Sequence, residues 1–252
     1  MKTEEIGIAI LDVYTESDLQ NCCSCVSTFE NVLVVSNTKN KIPVSNFRRY
    51  DGCIPFATMR NYALSNFRIL GLKHLFLINS NQIIKNKNVF QDIIKTAEVF
   101  GTWCMTGPAE KTLSIEDDKK NVSLDISNKL NSEFLYIYTG IVSNVGYFDE
   151  RFFNTKELDV IDYVTRMREK KVYPPINYNP TYNADIESSN SVLQKIGHKE
   201  MDNADQSVNM SYAYFIHKHQ YIPTQNDPKP VTNEQLMSSL EEIQKNYSKN
   251  EN

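Results

Sequence analysis

The chain has 252 residues, a formal net charge of -4 and 40% hydrophobic content, enough to bury a sizeable core in one domain plus appendages. Its mild acidity gives no electrostatic footprint for nucleic acid, and its longest apolar runs fall far short of the ~18 residues that span a bilayer. The opening MKTEEIGIAI lacks a cleavage-site pattern, so a soluble cytoplasmic or intracellular protein, alone or within a larger assembly, is the expectation.

In chain order, Ile6 to Val13 (IGIAILDV) predicts a first strand. Thr15 or Ser17 then caps a helix carrying Leu19, Cys22, Cys23, Val26 and Phe29, and Asn31 to Val35 (NVLVV) predicts the next strand. From Pro55, the residues Phe56, Met59, Ala63, Phe67 and Leu70 share one helical face, and Gly71 suits the left-handed conformation that ends a helix. Lys73 to Ile78 is a nearly continuous apolar run, as expected of a strand buried on both faces. The pattern repeats, with a helical stripe of Val89, Phe90, Ile93, Ile94, Ala97 and Phe100, closure at Gly101, and a strand from Thr102 to Thr106. Strands alternating with helices of this length predict an α/β fold with parallel pairing through right-handed crossovers. Ligands of open α/β sheets lie outside the carboxyl ends of the strands. Tyr14, Ser36, Asn37, Asn79, Ser80 and Asn81 are therefore expected to border one cleft.

Further along, Val160, Ile161, Val164 and Met167 form a helical stripe that leaves Glu157, Arg166, Arg168, Glu169 and Lys170 on a solvated face. The run from Val172 to Asn183 is dense in Tyr and Asn and broken by prolines. It suits sugar recognition or a plain covering loop equally well. His217 and His219 alternate on a predicted strand, where packing is favoured over metal binding. The five cysteines lack zinc-finger spacing, and Cys22 and Cys23 lie on an apolar helix face, so they read as packing residues.

The predicted domain covers residues 1–224, followed by a polar linker over 225–231 and an amphipathic helix over 232–248. Thr232 and Gln235 form a capping box there, and Leu236, Leu240, Ile243 and Tyr247 make a narrow apolar seam. A helix of that length is marginal alone in water. Docking on its own domain, self-association, or a protein partner is expected through those four residues.

Several segments resemble family 2 glycosyltransferases of the GT-A fold. AILDVYTESDLQNCCSCV resembles that family's opening strand and first helix, and NVLVVSNTKN its second strand with the nucleotide-contacting end. RNYALSNFRILGLKHLFLINSNQII resembles the Arg-Asn helix leading to the strand that bears the metal-binding DxD motif. GYFDERFFNTKELDVIDYVTRMREKKVYPP resembles the later segment that holds the acceptor and the catalytic base. The resemblance covers about residues 5 to 176 and implies a nucleotide-sugar donor, a glycan acceptor, and a cleft containing Arg60.

This sequence departs from the family pattern at defined positions. Ser36 and Asn37 stand where an acid contacts the nucleotide base, and Asn79 and Asn81 stand where carboxylates hold Mg²⁺ or Mn²⁺. Two amides bring no charge to offset a hard divalent ion, so a metal cofactor is expected only if this altered site still takes one. At the third site Asp159 and Val160 occupy the place of the family's Glu-Asp pair, so the usual base position falls on Val160; a shift of one residue restores Asp159 as the candidate general base, and Glu157 is also close. Two readings follow. The first is a glycosyltransferase working with little or no metal, with Arg60, Lys73 or Arg166 offsetting diphosphate charge. The second is a GT-A domain that has lost transfer chemistry and serves binding or assembly.

Overall fold

The computed structural model describes residues 5–12, 20, 22, 29–36, 47–49, 55–106, 113–117, 122–126, 130–152, 157–170, 172, 186–188 and 204–221. A six-stranded sheet organises them, built from β1 (Ile6–Leu11), β2 (Asn31–Ser36), β3 (Phe47–Arg49), β4 (His74–Asn79), β6 (Cys104–Thr106) and β9 (Phe134–Tyr138). Their order across the sheet is β3-β2-β1-β4-β9-β6. Every residue of β1 and β4 is buried, which matches their uninterrupted apolar runs and their central position. Two small antiparallel pairs complete the strands: β5 (Gln82–Ile84) with β10 (Ile186–Ser188), and β7 (Leu113–Asp117) with β8 (Val122–Ile126).

Helix α1 (Phe56–Ile69) packs against β1, β2 and β4 through Ala57, Met59, Ala63, Leu64 and Phe67, close to the predicted stripe, except that Leu70 caps the helix and is 62% exposed because the chain turns away there at Gly71. Helix α2 (Val89–Phe100) buries Val89, Phe90, Ile93, Ile94 and Ala97. Phe90 anchors it to the sheet, with its ring edge-on to Phe76 of β4 at a centroid distance of 4.8 Å. Gly71 and Gly101 close these two helices at φ 73° and 65°, as their sequence positions predict. A one-turn α3 (Val142–Val145) precedes α4 (Leu158–Glu169), which packs against α5 (Ala204–His219). No described helix is long and apolar enough to cross a membrane.

Parallel pairing holds for β1 with β2, β1 with β4, and β2 with β3. It does not hold beyond β4. Strand β9 lies between β4 and β6 and runs antiparallel to both. The physical reason lies in the connections. A crossover helix, α2, separates β4 from β6, whereas the described residues between β6 and β9 contain the β7–β8 hairpin and no helix. Parallel neighbours need a crossover of that kind, and without one the returning strand runs the other way.

The expectation for His217 and His219 is likewise corrected, because both lie on α5 and not on a strand. Their neighbours Ser211 and Phe215 are buried at a spacing of four while Met210 and Ile216 are exposed, so the period is helical. Of the predicted first helix, Gln20 and Cys22 are described as helical, with Cys22 fully buried in the core, whereas Phe29, predicted on the same stripe, is buried but lies outside the helix. Buried Cys104, whose thiol is pushed up to about 12 by desolvation, is likewise an inert packing residue. Residues 173–183, the linker over 225–231 and the helix predicted over 232–248, with Leu236, Leu240, Ile243 and Tyr247, lie outside the described residues.

Candidate functional site

Strand order reverses at β1, since β2 lies on one side of it and β4 on the other. The chain leaves β1 and β4 at neighbouring points, because Leu11 pairs in register with both Val35 and Asn79. Backbone hydrogen bonds then tie the strand ends together. The Asp12 N–H donates to the Val35 carbonyl (3.0 Å), the Ser80 N–H to the Leu11 carbonyl (3.0 Å), and the Asn79 N–H to the Glu133 carbonyl (2.8 Å). The Ser80 hydroxyl donates to the Asp12 carbonyl at 2.7 Å. Asp12, Ser36, Asn79 and Ser80 therefore stand at one lip of the sheet, with Asn81 next along the chain. Tyr14 and Asn37 lie outside the described residues.

Two acids at this lip escape the sequence reading. β1 ends at Leu11, so Asp12 leaves the strand, with φ 58° and 6% of its surface exposed. Aspartate is one of the few residues that tolerates the left-handed region, and such outliers cluster where a site imposes them. An acid directly after an apolar run, as in AILD, is the signal that would have found it. Glu133 precedes β9, and its carboxylate accepts a hydrogen bond from the Gln82 side-chain amide at 2.9 Å. No periodic pattern marks it.

Asn79 is 3% exposed, and its Nδ2 is buried without a hydrogen-bond partner. An unsatisfied buried donor costs about 1–3 kcal/mol. Buried polar groups are so regularly paired that an exception calls for an explanation, and a binding role is one.

Behind this lip, the Arg-Asn pair of α1 meets two parts of the later motif segment, around Phe148 and Asp159. Arg60 is fully buried and forms an ion pair with Asp159, itself fully buried at the start of α4. A second Arg60 nitrogen donates to the Ser132 carbonyl at 3.0 Å, one residue from the Glu133 that holds Asn79. The guanidinium lies 5.4 and 5.6 Å from the ring centroids of Phe56 and Phe148. Asn61 donates from Nδ2 to the Phe148 carbonyl (2.9 Å) and accepts from the Phe148 N–H (2.8 Å). Burial pushes the Asp159 carboxyl up from its ordinary value, against the opposing pull of Arg60 and of the Val160 N–H. Arg60 and Asp159 thus face each other across the interior, away from solvent.

The other cations raised by the sequence are engaged elsewhere. Lys73 pairs with Glu5 at 2.8 Å at the amino end of β4, and β4 runs about 20 Å from there to the lip at ~3.3 Å per residue. Arg166 donates to Asp162 (2.8 Å) and to the carbonyls of Val145 (2.7 Å) and Tyr147 (2.9 Å).

A second polar cluster docks α5. Asp162 is fully buried and meets Lys218, the Arg166 Nε, and the His219 Nε2 at 2.8 Å. Asp149 accepts from Arg151, Tyr214 and Lys218 at 2.7–2.8 Å. For both acids, burial pushes the carboxyl up, but hydrogen bonds outweigh it and leave each below the usual carboxylate range. Among the described residues, no group of three His, Cys, Asp or Glu side chains is placed to hold a metal ion.

No family profile and no curated protein matches this chain. Among solved structures, it is similar to residues 1–349 of S. aureus TarS in complex with UDP, at 12% identity over 95% of this chain and 80% of that one, with a TM-score of 0.49. The same protein in complex with UDP-GlcNAc gives 12% identity, the same coverage and a TM-score of 0.47. The catalytic domain of Drosophila β1,4-galactosyltransferase 7, in complex with xylobiose, gives 8% identity over 93% of this chain and 79% of that one, with a TM-score of 0.48. This chain has a mixed α/β fold, with a mainly parallel sheet whose strand order reverses at β1 and helices around it.

Proposed function

We propose that this chain is a glycosyltransferase-like protein that binds a nucleotide-sugar in the crevice at the carboxyl ends of β1, β2 and β4. The observation that carries the reading is the reversal of strand order at β1, with Asp12, Ser36, Asn79 and Ser80 at the strand ends. In open α/β sheets that reversal opens the space a ligand enters. It coincides here with the segment that resembles the family's diphosphate-binding strand. Titration calorimetry with UDP, UDP-glucose and GDP-mannose, each in Mn²⁺, tests it. Saturable binding of at least one is expected, and silence from all three with well-folded protein overturns the reading.

A second reading, that the domain binds the donor without transferring the sugar, is favoured by the state of Asp159. A general base must reach the proton it removes within hydrogen-bonding distance. Asp159 has no exposed surface and is held by Arg60, and the next residue is Val160. On this reading, donor binds but no UDP is released from UDP-glucose with any glycan acceptor. Sustained UDP release, dependent on added acceptor, would overturn it.

A further inference from the structure

The family resemblance implies a divalent ion at Asn79 and Asn81, and the residues present do not fit one. A cation needs lone pairs and negative charge. Asn79 can offer a cation only a neutral amide oxygen, and it carries beside that oxygen a buried donor, Nδ2, with no partner. Asn81 Oδ1 lies 3.4 Å from Gln82 Nε2, and that same Nε2 donates to the Glu133 carboxylate at 2.9 Å. Glu133 is thus turned to an amide. The group missing beside Asn79 is an acceptor.

We infer that the crevice takes a nucleoside diphosphate without a divalent cation, with Asn79 Nδ2 donating directly to a diphosphate oxygen where the family places its metal. This rests on the nucleotide-binding reading above and names how that site holds its ligand. Asn79 is positioned for it by two independent constraints. Its N–H is fixed to the Glu133 carbonyl, and its strand register is fixed against Leu11. A side chain already desolvated on a fixed backbone loses less on binding than a mobile surface amide does.

The test is calorimetry of UDP and uridine against the full chain, in Mn²⁺ and in EDTA, for the wild type, Asn79→Ala and Asn79→Asp. UDP is expected to bind the wild type with the same Kd, within about twofold, in both buffers, and more tightly than uridine. Asn79→Ala is expected to weaken UDP about tenfold in EDTA while leaving the Tm of the free protein unchanged or higher, because the change removes an unsatisfied donor. Asn79→Asp, which replaces the donor with a charge, is expected to lose UDP in EDTA and to regain binding in Mn²⁺. Wild-type binding of UDP that appears only with Mn²⁺ overturns the inference and leaves the nucleotide-binding reading standing. UDP binding to Asn79→Ala as tight as to the wild type, or uridine bound as tightly as UDP, also overturns it. Failure of UDP, UDP-glucose and GDP-mannose in both buffers overturns both.

Discussion

Asp159→Ala is expected to destabilise the protein by about 3–5 kcal/mol, the range for breaking a buried ion pair by removing one partner. The remaining charge is the reason. Arg60 has no exposed surface, and its guanidinium cannot shed its proton to escape the interior. Its cost on losing Asp159 is therefore unrelieved. The reciprocal change is milder in electrostatic terms. Without Arg60, Asp159 can be protonated, and burial already pushes its carboxyl in that direction. Arg60→Met, which retains stem volume beside Phe56 and Phe148, is expected to cost less than Asp159→Ala, although the Ser132 carbonyl loses a donor. The double variant Arg60→Met with Asp159→Leu is expected to lie nearer the wild type than Asp159→Ala does, since no unpaired charge is left. Urea midpoints of the variants decide this, and a wild-type midpoint for Asp159→Ala would sink the account. The consequence reaches function. Loss of sugar transfer in Asp159→Ala cannot be read as loss of a general base unless the variant is shown to be folded and to bind donor normally.

That pair also marks the limit of what the sequence conveys. Local elements were readable wherever their cause was local. The stripe from Phe56 to Phe67, its closure at Gly71, the stripe from Val89 to Ala97 and its closure at Gly101 all depend on neighbours within one or two turns. The continuous burial of β1 and β4 was readable for a similar reason, since only a strand covered on both faces is apolar throughout. Strand β9 was not readable, because FLYIY carries no sign of direction, and the direction is set by the connection that precedes it. The roles of Arg60, Asn61, Phe148 and Asp159 were not readable from spacing either. They lie up to 99 residues apart in the chain, and their pairing is a property of how α1, α4 and the Gly146–Phe152 segment converge. Resemblance placed these residues in motifs, and only coordinates reveal that the motifs bind one another. At the crevice, Asn79 was legible as a departure from a pattern, whereas Asp12 was hidden by a strand end misjudged by two residues.

Asp162→Ala is expected to cost about 3 kcal/mol, the lower end of the buried-pair range, and to release α5. Asp162 is fully buried, and its carboxylate joins Lys218 and His219 of α5 to Arg166 of α4. The lower figure applies because two of the stranded cations have other partners: Lys218 retains Asp149 and Arg166 retains the Val145 and Tyr147 carbonyls. His219 Nδ1 reaches only Glu169, at 3.3 Å. Because two of the lost contacts join α5 to α4 and the third lies within α4, the damage is expected to be local. Amide exchange should speed up over the described part of α5 while β1 and β4 retain their protection. Uniform loss of protection across the sheet would contradict the assignment of Asp162 as the clamp of this helix. The same cluster sets an acid limb to stability. The carboxyls of Asp149 and Asp162 are lowered by folding, so the stability they contribute is fully present above the ordinary carboxylate pKa of about 3.9. It is lost as pH falls below that value through their lowered folded values. Asp159 acts with the opposite sign. Its carboxyl is raised, so its contribution is fully present below the ordinary pKa and declines as pH rises through the raised value. In thermal melts between pH 2 and pH 5, Asp162→Asn should therefore flatten the acid limb relative to the wild type, and an unchanged slope would show that Asp162 is not what acid protonates to unfold the protein.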